Sequence, residues 1–183
     1  MTQFLIIPGY GNSAPNHWQS YFERVLPGCC RVQQKSWDKP EMVDWVNSIH
    51  NALMQHTPEE TILITHSLGG IALAHWVQKH SIRVKGAMLV APPDLEFPYQ
   101  DLSLESFTPI PTSKFPFRSI VVGSTNDPWA TMDRTKLFAN NWGSELIFIG
   151  NAGHINVDSG HTRWHEGVQI LRRLDPALPD IVL

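Results

Sequence analysis

Cysteine is what this chain has least of: two residues in 183, side by side at Cys29 and Cys30. Adjacent cysteines cannot staple distant parts of a chain, so a disulfide scaffold is excluded and a reducing, cytoplasmic setting is expected. Charge is also scarce, at 17% of residues, with 14 basic against 17 acidic side chains and a net charge of −3. No Lys/Arg cluster occurs, which removes the electrostatic case for a nucleic acid or another polyanion as partner. Long hydrophobic runs are missing too. The N-terminal Phe4-Leu5-Ile6-Ile7 has no basic residue before it and is too short for a secretory core or a membrane span. No membrane association is expected, and there is no internal repeat or low-complexity tract.

Apolar residues are plentiful, at 42%, enough for one domain with a substantial core across residues 1–183. Short aliphatic runs alternate with amphipathic stretches. Strands are expected at 3–7, 31–35, 61–65, 84–90, 117–122 and 145–149, and helices at 17–26, 41–55, 68–79, 129–140 and 161–174. In the second helix Met42, Trp45, Val46, Ile49 and Leu53 recur at helical spacing. Such alternation predicts a doubly wound, mostly parallel six-stranded α/β sheet with helices on both faces. One stretch breaks the pattern: residues 92–116 hold six of the 14 prolines among Phe97, Tyr99, Phe107 and Phe115. In open parallel sheets ligands bind outside the carboxyl ends of the strands. The loops at 8–14, 65–69, 91–116, 123–128 and 150–154 all follow strands, so they should gather along one edge.

Three of those loops carry reactive side chains. The run Thr61 to Thr65 ends abruptly at His66-Ser67, and Gly69-Gly70 then open a helical segment. Strand, sharp turn and helix, with serine at the turn, is the geometry of a nucleophile elbow. It would aim the first N–H groups of the helix at whatever the serine attacks. The structural alternative is that Ser67 merely caps the helix. Asp127 precedes Pro128, so a helix cap is its structural alternative as well. His154 lies in the glycine-flanked loop Gly150-Asn151-Ala152-Gly153-His154, where no core-packing reason for a histidine is evident. Serine, aspartate and histidine thus follow successive strands in the order expected of hydrolases on this topology.

On Ile7-Pro8-Gly9 with His17-Trp18-Gln19, on His66-Ser67-Leu68-Gly69, on Asn126-Asp127-Pro128 and on Gly153-His154, the chain resembles the α/β-hydrolase superfamily. Within it the likeness is to the compact serine hydrolases of the YdeN and retinoblastoma-binding protein nine type, over nearly the whole length. The resemblance implies Ser67 as nucleophile, Asp127 as acid and His154 as base, acting by acyl transfer to water through an acyl-enzyme. Its oxyanion donors would be the backbone N–H groups of Leu68 and Tyr10, and its substrate a small ester or amide with a hydrophobic group. Gly9, Gly11, His17, His66 and Trp129 are the candidates for pocket or loop support, with further walls from 92–116. No cofactor or metal is called for. Thr65 departs from the family's glycine, and its side chain is expected to crowd the approach of helix to strand.

Two rival readings compete. Gly9-Tyr10-Gly11-Asn12-Ser13-Ala14 matches the dinucleotide fingerprint G-x-G-x-x-A after a first strand, with Asp38 near the place of a ribose-binding acid. That reading, an NAD-dependent oxidoreductase, leaves Ser67, Asp127 and His154 unexplained, and Pro15 and Tyr10 fit it poorly. The other rival is a non-catalytic binding module on the same fold. His161 and His165, at i and i+4 of an expected helix, lack a glutamate between them and a third ligand, so solvent-facing histidines are expected there. Cys29 and Cys30 follow Pro27-Gly28 in an expected turn, with nothing nearby to activate a thiolate.

Overall fold

The computed structural model describes residues 1–96 and 103–178. Six apolar segments pair side by side: β1 (Gln3–Ile7), β2 (Cys29–Arg31), β3 (Thr61–His66), β4 (Gly86–Val90), β5 (Ser119–Gly123) and β6 (Glu145–Phe148). Their order is β2-β1-β3-β4-β5-β6 and every neighbouring pair is parallel. Parallel neighbours require crossovers: α1 (Trp18–Val25), α2 (Met42–Leu53), α3 (Leu68–His80) and α4 (Met132–Trp142) lie on those after β1, β2, β3 and β5, the connection from β4 to β5 has no α-helix among its described residues, and α5 (His165–Leu171) follows the last strand. The result is the doubly wound sheet expected.

The period of two along each strand divides the core between the two faces of the sheet. Leu5, Ile7, Leu63, Ala87, Leu89 and Val121 face α2, α3 and α4, where Trp45, Trp76 and Trp142 are fully buried. Phe4, Ile6, Ile62, Ile64, Met88, Val90, Ile120 and Val122 face α1 and α5, against Trp18, Phe22 and Leu171. Truncating one of the Leu, Ile, Met or Phe side chains among these to alanine costs about 2–5 kcal/mol, since a packed sheet collapses only partly onto the void. Among the described residues no helix is long and apolar enough to cross a membrane.

Several boundaries differ from the sequence expectation, each for a local reason. β2 comes earlier, at Cys29–Arg31 rather than 31–35, so both cysteines lie on the edge strand and not in a turn. The turn is Gly28, at φ +64°, and past Val32, whose N–H reaches Ile6 O, the chain leaves the sheet. α4 starts at Met132, not 129. The Asp127 carboxylate accepts the Trp129 N–H, and Trp129 O accepts the Asp94 N–H, so residues 127–130 form a turn. Thr131 is the cap, its Oγ1 accepting the Arg134 N–H, so the structural alternative for Asp127, a helix cap, fails. α5 starts at His165, not 161, because Gly160 (φ +85°) and Trp164 (φ +40°) are left-handed. His161 and His165 therefore do not share a helix.

The Pro/aromatic stretch divides in two. Phe107 and Phe115 are buried in the core beside Trp45 and Trp142, which assigns them to packing and not to pocket walls. Phe97 and Tyr99 lie outside the described residues.

Candidate active site

A sharp turn on the carboxyl edge of the sheet falls at Ser67. Its φ of +52° and ψ of −128° hold a non-glycine residue in a region that costs about 1–3 kcal/mol, a strain typical of functional sites. The Ser67 N–H donates to Val90 O and its carbonyl accepts the Gly70 N–H, while its hydroxyl makes no cap bond to the helix it precedes. The capping alternative for Ser67 fails on that ground.

The turn works only because glycines surround it. A Cβ on Gly69 would lie 2.4 Å from Ile7 O, and one on Gly9 would lie 2.8 Å from the Ser67 Cβ. The crowding expected from Thr65 is relieved across the turn, where Gly70 has no side chain: a Cβ there would stand 3.2 Å from Thr65 Oγ1.

Ser67 Oγ lies 2.9 Å from His154 Nε2, and His154 Nδ1 lies 3.0 and 3.1 Å from the two carboxylate oxygens of Asp127. A carboxylate only accepts, so Nδ1 carries the proton and Nε2 turns its lone pair to the serine hydroxyl. Both partners are sunk in protein, with side-chain exposures of 11% for His154 and 3% for Asp127. The loops bearing them are tied to one another. Asn126 Oδ1 accepts the Gly153 N–H, Ser124 Oγ accepts the Ala152 N–H, and Gly150 O accepts the Thr125 N–H.

Behind the three residues sits a brace of histidines and a tryptophan. His66 Nε2–H donates to His154 O at 2.9 Å, and Trp18 Nε1–H donates to Ile155 O at 2.8 Å, fixing Ile155 at φ +48°. Complete burial, then the neighbouring His154 and His17, pushes the His66 imidazole well below its usual range. His17 Nδ1 accepts the Gln19 N–H and caps α1, while its ring packs 4.8 Å from that of His66. Burial, with Arg31, His154 and His161 adding to it, brings the His17 pKa down to about 4. Both rings are therefore neutral beside His154.

A cavity of about 220 Å³ opens over Ser67. Of the residues singled out in the sequence, Tyr10, His17, His66, Leu68 and Trp129 line it together with Ser67 and His154. Gly9 lies under the elbow rather than in the cavity, and the Gly11 N–H is taken by Trp37 O, which holds the loop from outside. The further wall expected from 92–116 is supplied by Pro93, Leu95 and Leu104, while the sequence reading missed Asn12 and Asn156 as lining residues. It missed Arg134 as well, whose guanidinium bonds Asp94 and Glu96 and so pins the segment carrying Pro93 and Leu95 to α4. The proline cluster was the only advance signal for that wall.

Other candidates fall away. α1 begins at Trp18, seven positions after Gly11, so the glycine loop does not run into a helix N-terminus as a dinucleotide site requires; it covers Ser67 instead. Burial raises both cysteine thiols, which keeps them protonated. Among the described residues no group of three or more His, Cys, Asp or Glu side chains is placed to hold a metal.

Known proteins carry the same arrangement of chain. The family model described as serine hydrolase matches residues 4–173. The rat serine hydrolase RBBP9 (Rattus norvegicus) is 25% identical over 186 residues, covering 97% of this chain and 98% of its own. A crystal structure described as a YdeN-like hydrolase from Pectobacterium atrosepticum superposes with a TM-score of 0.84 at 32% identity, covering 98% of this chain and 94% of that one. The ydeN gene product of B. subtilis has the same fold, with a TM-score of 0.78 at 21% identity over 95% of this chain and 98% of its own.

Proposed function

This chain belongs to the serine hydrolase family, and on that premise we propose that Ser67, His154 and Asp127 form its catalytic triad, cleaving a carboxylic ester or amide through an acyl-enzyme. The observation that carries the reading is the unbroken relay from Ser67 Oγ to His154 Nε2, and from His154 Nδ1 to Asp127. A serine hydroxyl is too weak an acid to attack unaided. His154 takes its proton as Oγ bonds to the substrate carbonyl, and Asp127 stabilises the imidazolium so formed. The proton then passes to the leaving group as the tetrahedral intermediate collapses to the acyl-enzyme. Water, deprotonated by His154 in its turn, releases the acid and restores the serine.

The negative charge on the carbonyl oxygen would be received by the backbone N–H groups of Leu68 and Tyr10. Leu68 opens α3, so its N–H has no acceptor within the helix, and the dipole of that helix favours an anion there. Tyr10 follows Gly9, which is pressed against the elbow, and supports a second donor on the same side. One such donor is worth roughly 2.7–4 kcal/mol of barrier. At about 220 Å³ the cavity falls below the usual range for drug-sized ligands, which fits a small substrate. Pro93, Leu95, Leu104 and Trp129 supply an apolar wall for a hydrophobic group. We take residues 1–183 as one domain, and two unpaired cysteines suit a reducing, cytoplasmic setting.

The test is covalent. A fluorophosphonate probe should label Ser67 stoichiometrically, and hydrolysis of 4-nitrophenyl acetate should vanish in Ser67→Ala. Labelling elsewhere, or turnover surviving that substitution, refutes the assignment.

A further inference from the structure

The cavity over Ser67 has two unlike walls. Pro93, Leu95, Leu104 and Trp129 face it from the loops after β4 and β5, while Asn12, His17 and Asn156 line it from the loops after β1 and β6. What the polar side chains offer a ligand depends on which atoms the protein already uses. Asn12 Oδ1 accepts both the Ser13 N–H at 2.7 Å and Arg31 Nη1–H at 3.0 Å, which fills the lone pairs of that oxygen. Asn156 Oδ1 accepts the Ser159 N–H in a capping box. These bonds also fix the orientation of both amides, since an NH₂ group in either place would face another donor. His17 Nδ1 accepts the Gln19 N–H, so the neutral ring carries its proton on Nε2. Each of the three has its acceptor engaged internally and an N–H left over. His66 is the counterpart: its Nε2–H is engaged by His154 O, which leaves Nδ1 as an acceptor.

We infer that this cavity selects acyl compounds carrying an apolar group on one side of the reacting carbonyl and hydrogen-bond acceptor oxygens on the other, the latter received by the N–H groups of Asn12, His17 and Asn156. The inference rests on the hydrolase reading of the site and adds the substrate class. The apolar group lies along Leu95, Leu104 and Trp129, where it displaces water at no polar cost. The acceptor-bearing end meets three donors held in place by bonds to the rest of the protein. A site built around fixed donors discriminates against an analogue lacking the acceptor, because the donors are then desolvated without a partner. Simple alkyl esters would be hydrolysed, but poorly bound.

Binding is best measured in Ser67→Ala, where neither ligand can be consumed. N-butanoylglycine methyl ester and N-butylbutanamide have tails of equal length and differ in whether the tail carries acceptor oxygens. Calorimetry should find the glycine ester bound at least tenfold more tightly. In the Ser67→Ala background, Asn12→Asp and Asn156→Asp each keep the internally bonded oxygen and replace the NH₂ donor by an acceptor. Each should cut the preference at least threefold. Equal binding, absence of binding by the glycine ester, or a preference unchanged in both Asp variants overturns the inference. The unsubstituted pair tests it even if an Asp variant does not fold. Failure of the hydrolase reading shows separately, as turnover that persists in Ser67→Ala.

Discussion

Lowering the pH should destabilise this protein through its buried imidazoles, and the size of one contribution follows from where His17 sits. The residue is 6% exposed, its ring packs at a tilt against that of His66, and burial holds its pKa at about 4, against about 6.5 in an unfolded chain. Above pH 6.5 both states carry a neutral ring and the group has no effect on stability. As the pH falls, the unfolded chain binds the proton first, so folding becomes less favourable until the folded state also protonates near pH 4. The stability present above the unfolded pKa is thus lost on acidification, and the loss is complete below about pH 4. A gap of about 2.5 pH units corresponds to about 3.4 kcal/mol in the limit, of which about 2.5 kcal/mol is realised by pH 4.5. Against a usual total of 5–15 kcal/mol this is a large fraction. His66, shifted in the same direction, adds to it.

Carboxylates also titrate in this window, so the measurement has to be differential. Asn at position 17 keeps a side-chain oxygen for the Gln19 N–H, asparagine being a good cap, and removes the ionisable ring. Urea unfolding at pH 7.5 and pH 4.5 should show the His17→Asn protein losing about 2.5 kcal/mol less than the unsubstituted chain. With a slope of about 2–3 kcal/mol per molar, that is a difference of roughly 1 M in how far the midpoint moves. Parallel losses, within about 0.5 kcal/mol, would mean that His17 titrates normally. The polar wall of the cavity would then become charged near neutrality.

Kinetic substitutions probe the rest. Ser67→Ala and His154→Ala should each lower kcat by on the order of 10⁶, and the double variant should be scarcely slower than either, since the residues act as a unit. Additive losses in single-turnover assays would refute the relay. Asp127→Asn should cost about 10⁴ in kcat by releasing the imidazole tautomer; circular dichroism should show the fold intact. His66→Leu removes the donor to His154 O, and small misplacements of a catalytic group cost up to about 10² in rate, so kcat should fall 10- to 100-fold with KM little changed. His66→Gln, which carries an N–H donor of similar reach, should restore most of it, and equal damage from both variants would reduce His66 to a packing residue. Arg134→Met frees Asp94 and Glu96 from α4 and should raise KM several-fold for esters with an apolar group while sparing kcat; an unchanged KM would show that the wall holds without it.

The parts of the fold legible in advance were those governed by one local rule. Runs of aliphatic residues bounded by Gly and Pro gave β1, β3, β4, β5 and β6 within about two residues of their observed starts. β2 did not follow, because its extent depends on where Gly28 turns and where Arg31 finds partners. Arg31 reaches Asn12, Ser13, Ser20 and Glu23, none of which is near it in sequence, and no propensity encodes that. α4 and α5 began late for a similar reason. Side-chain turns at Asp127 and a left-handed Trp164 intervened where helical periodicity had already started.

The reactive trio was legible because each member follows a different strand, and the sheet alone brings strand ends to one edge. What surrounds it was harder to see, since it depends on contacts between segments that only the fold brings together: His66 with His154, 88 positions on, and Trp18 with Ile155, 137 positions on. The run His17-Trp18-Gln19 shows how such information was present but unread. Consecutive residues at a helix start point about 100° apart, so three neighbours reach three different places. His17 packs on His66, Trp18 holds the carbonyl beside His154, and Gln19 Nε2, fully buried, donates to Ile7 O and Ile64 O near the ends of β1 and β3. A polar triplet on the buried face of a short helix is costly unless every group is satisfied. Its occurrence in a sequence therefore argues that strand ends and loops with bare carbonyls pack against that helix, and here those segments lead into the loops proposed to carry the chemistry.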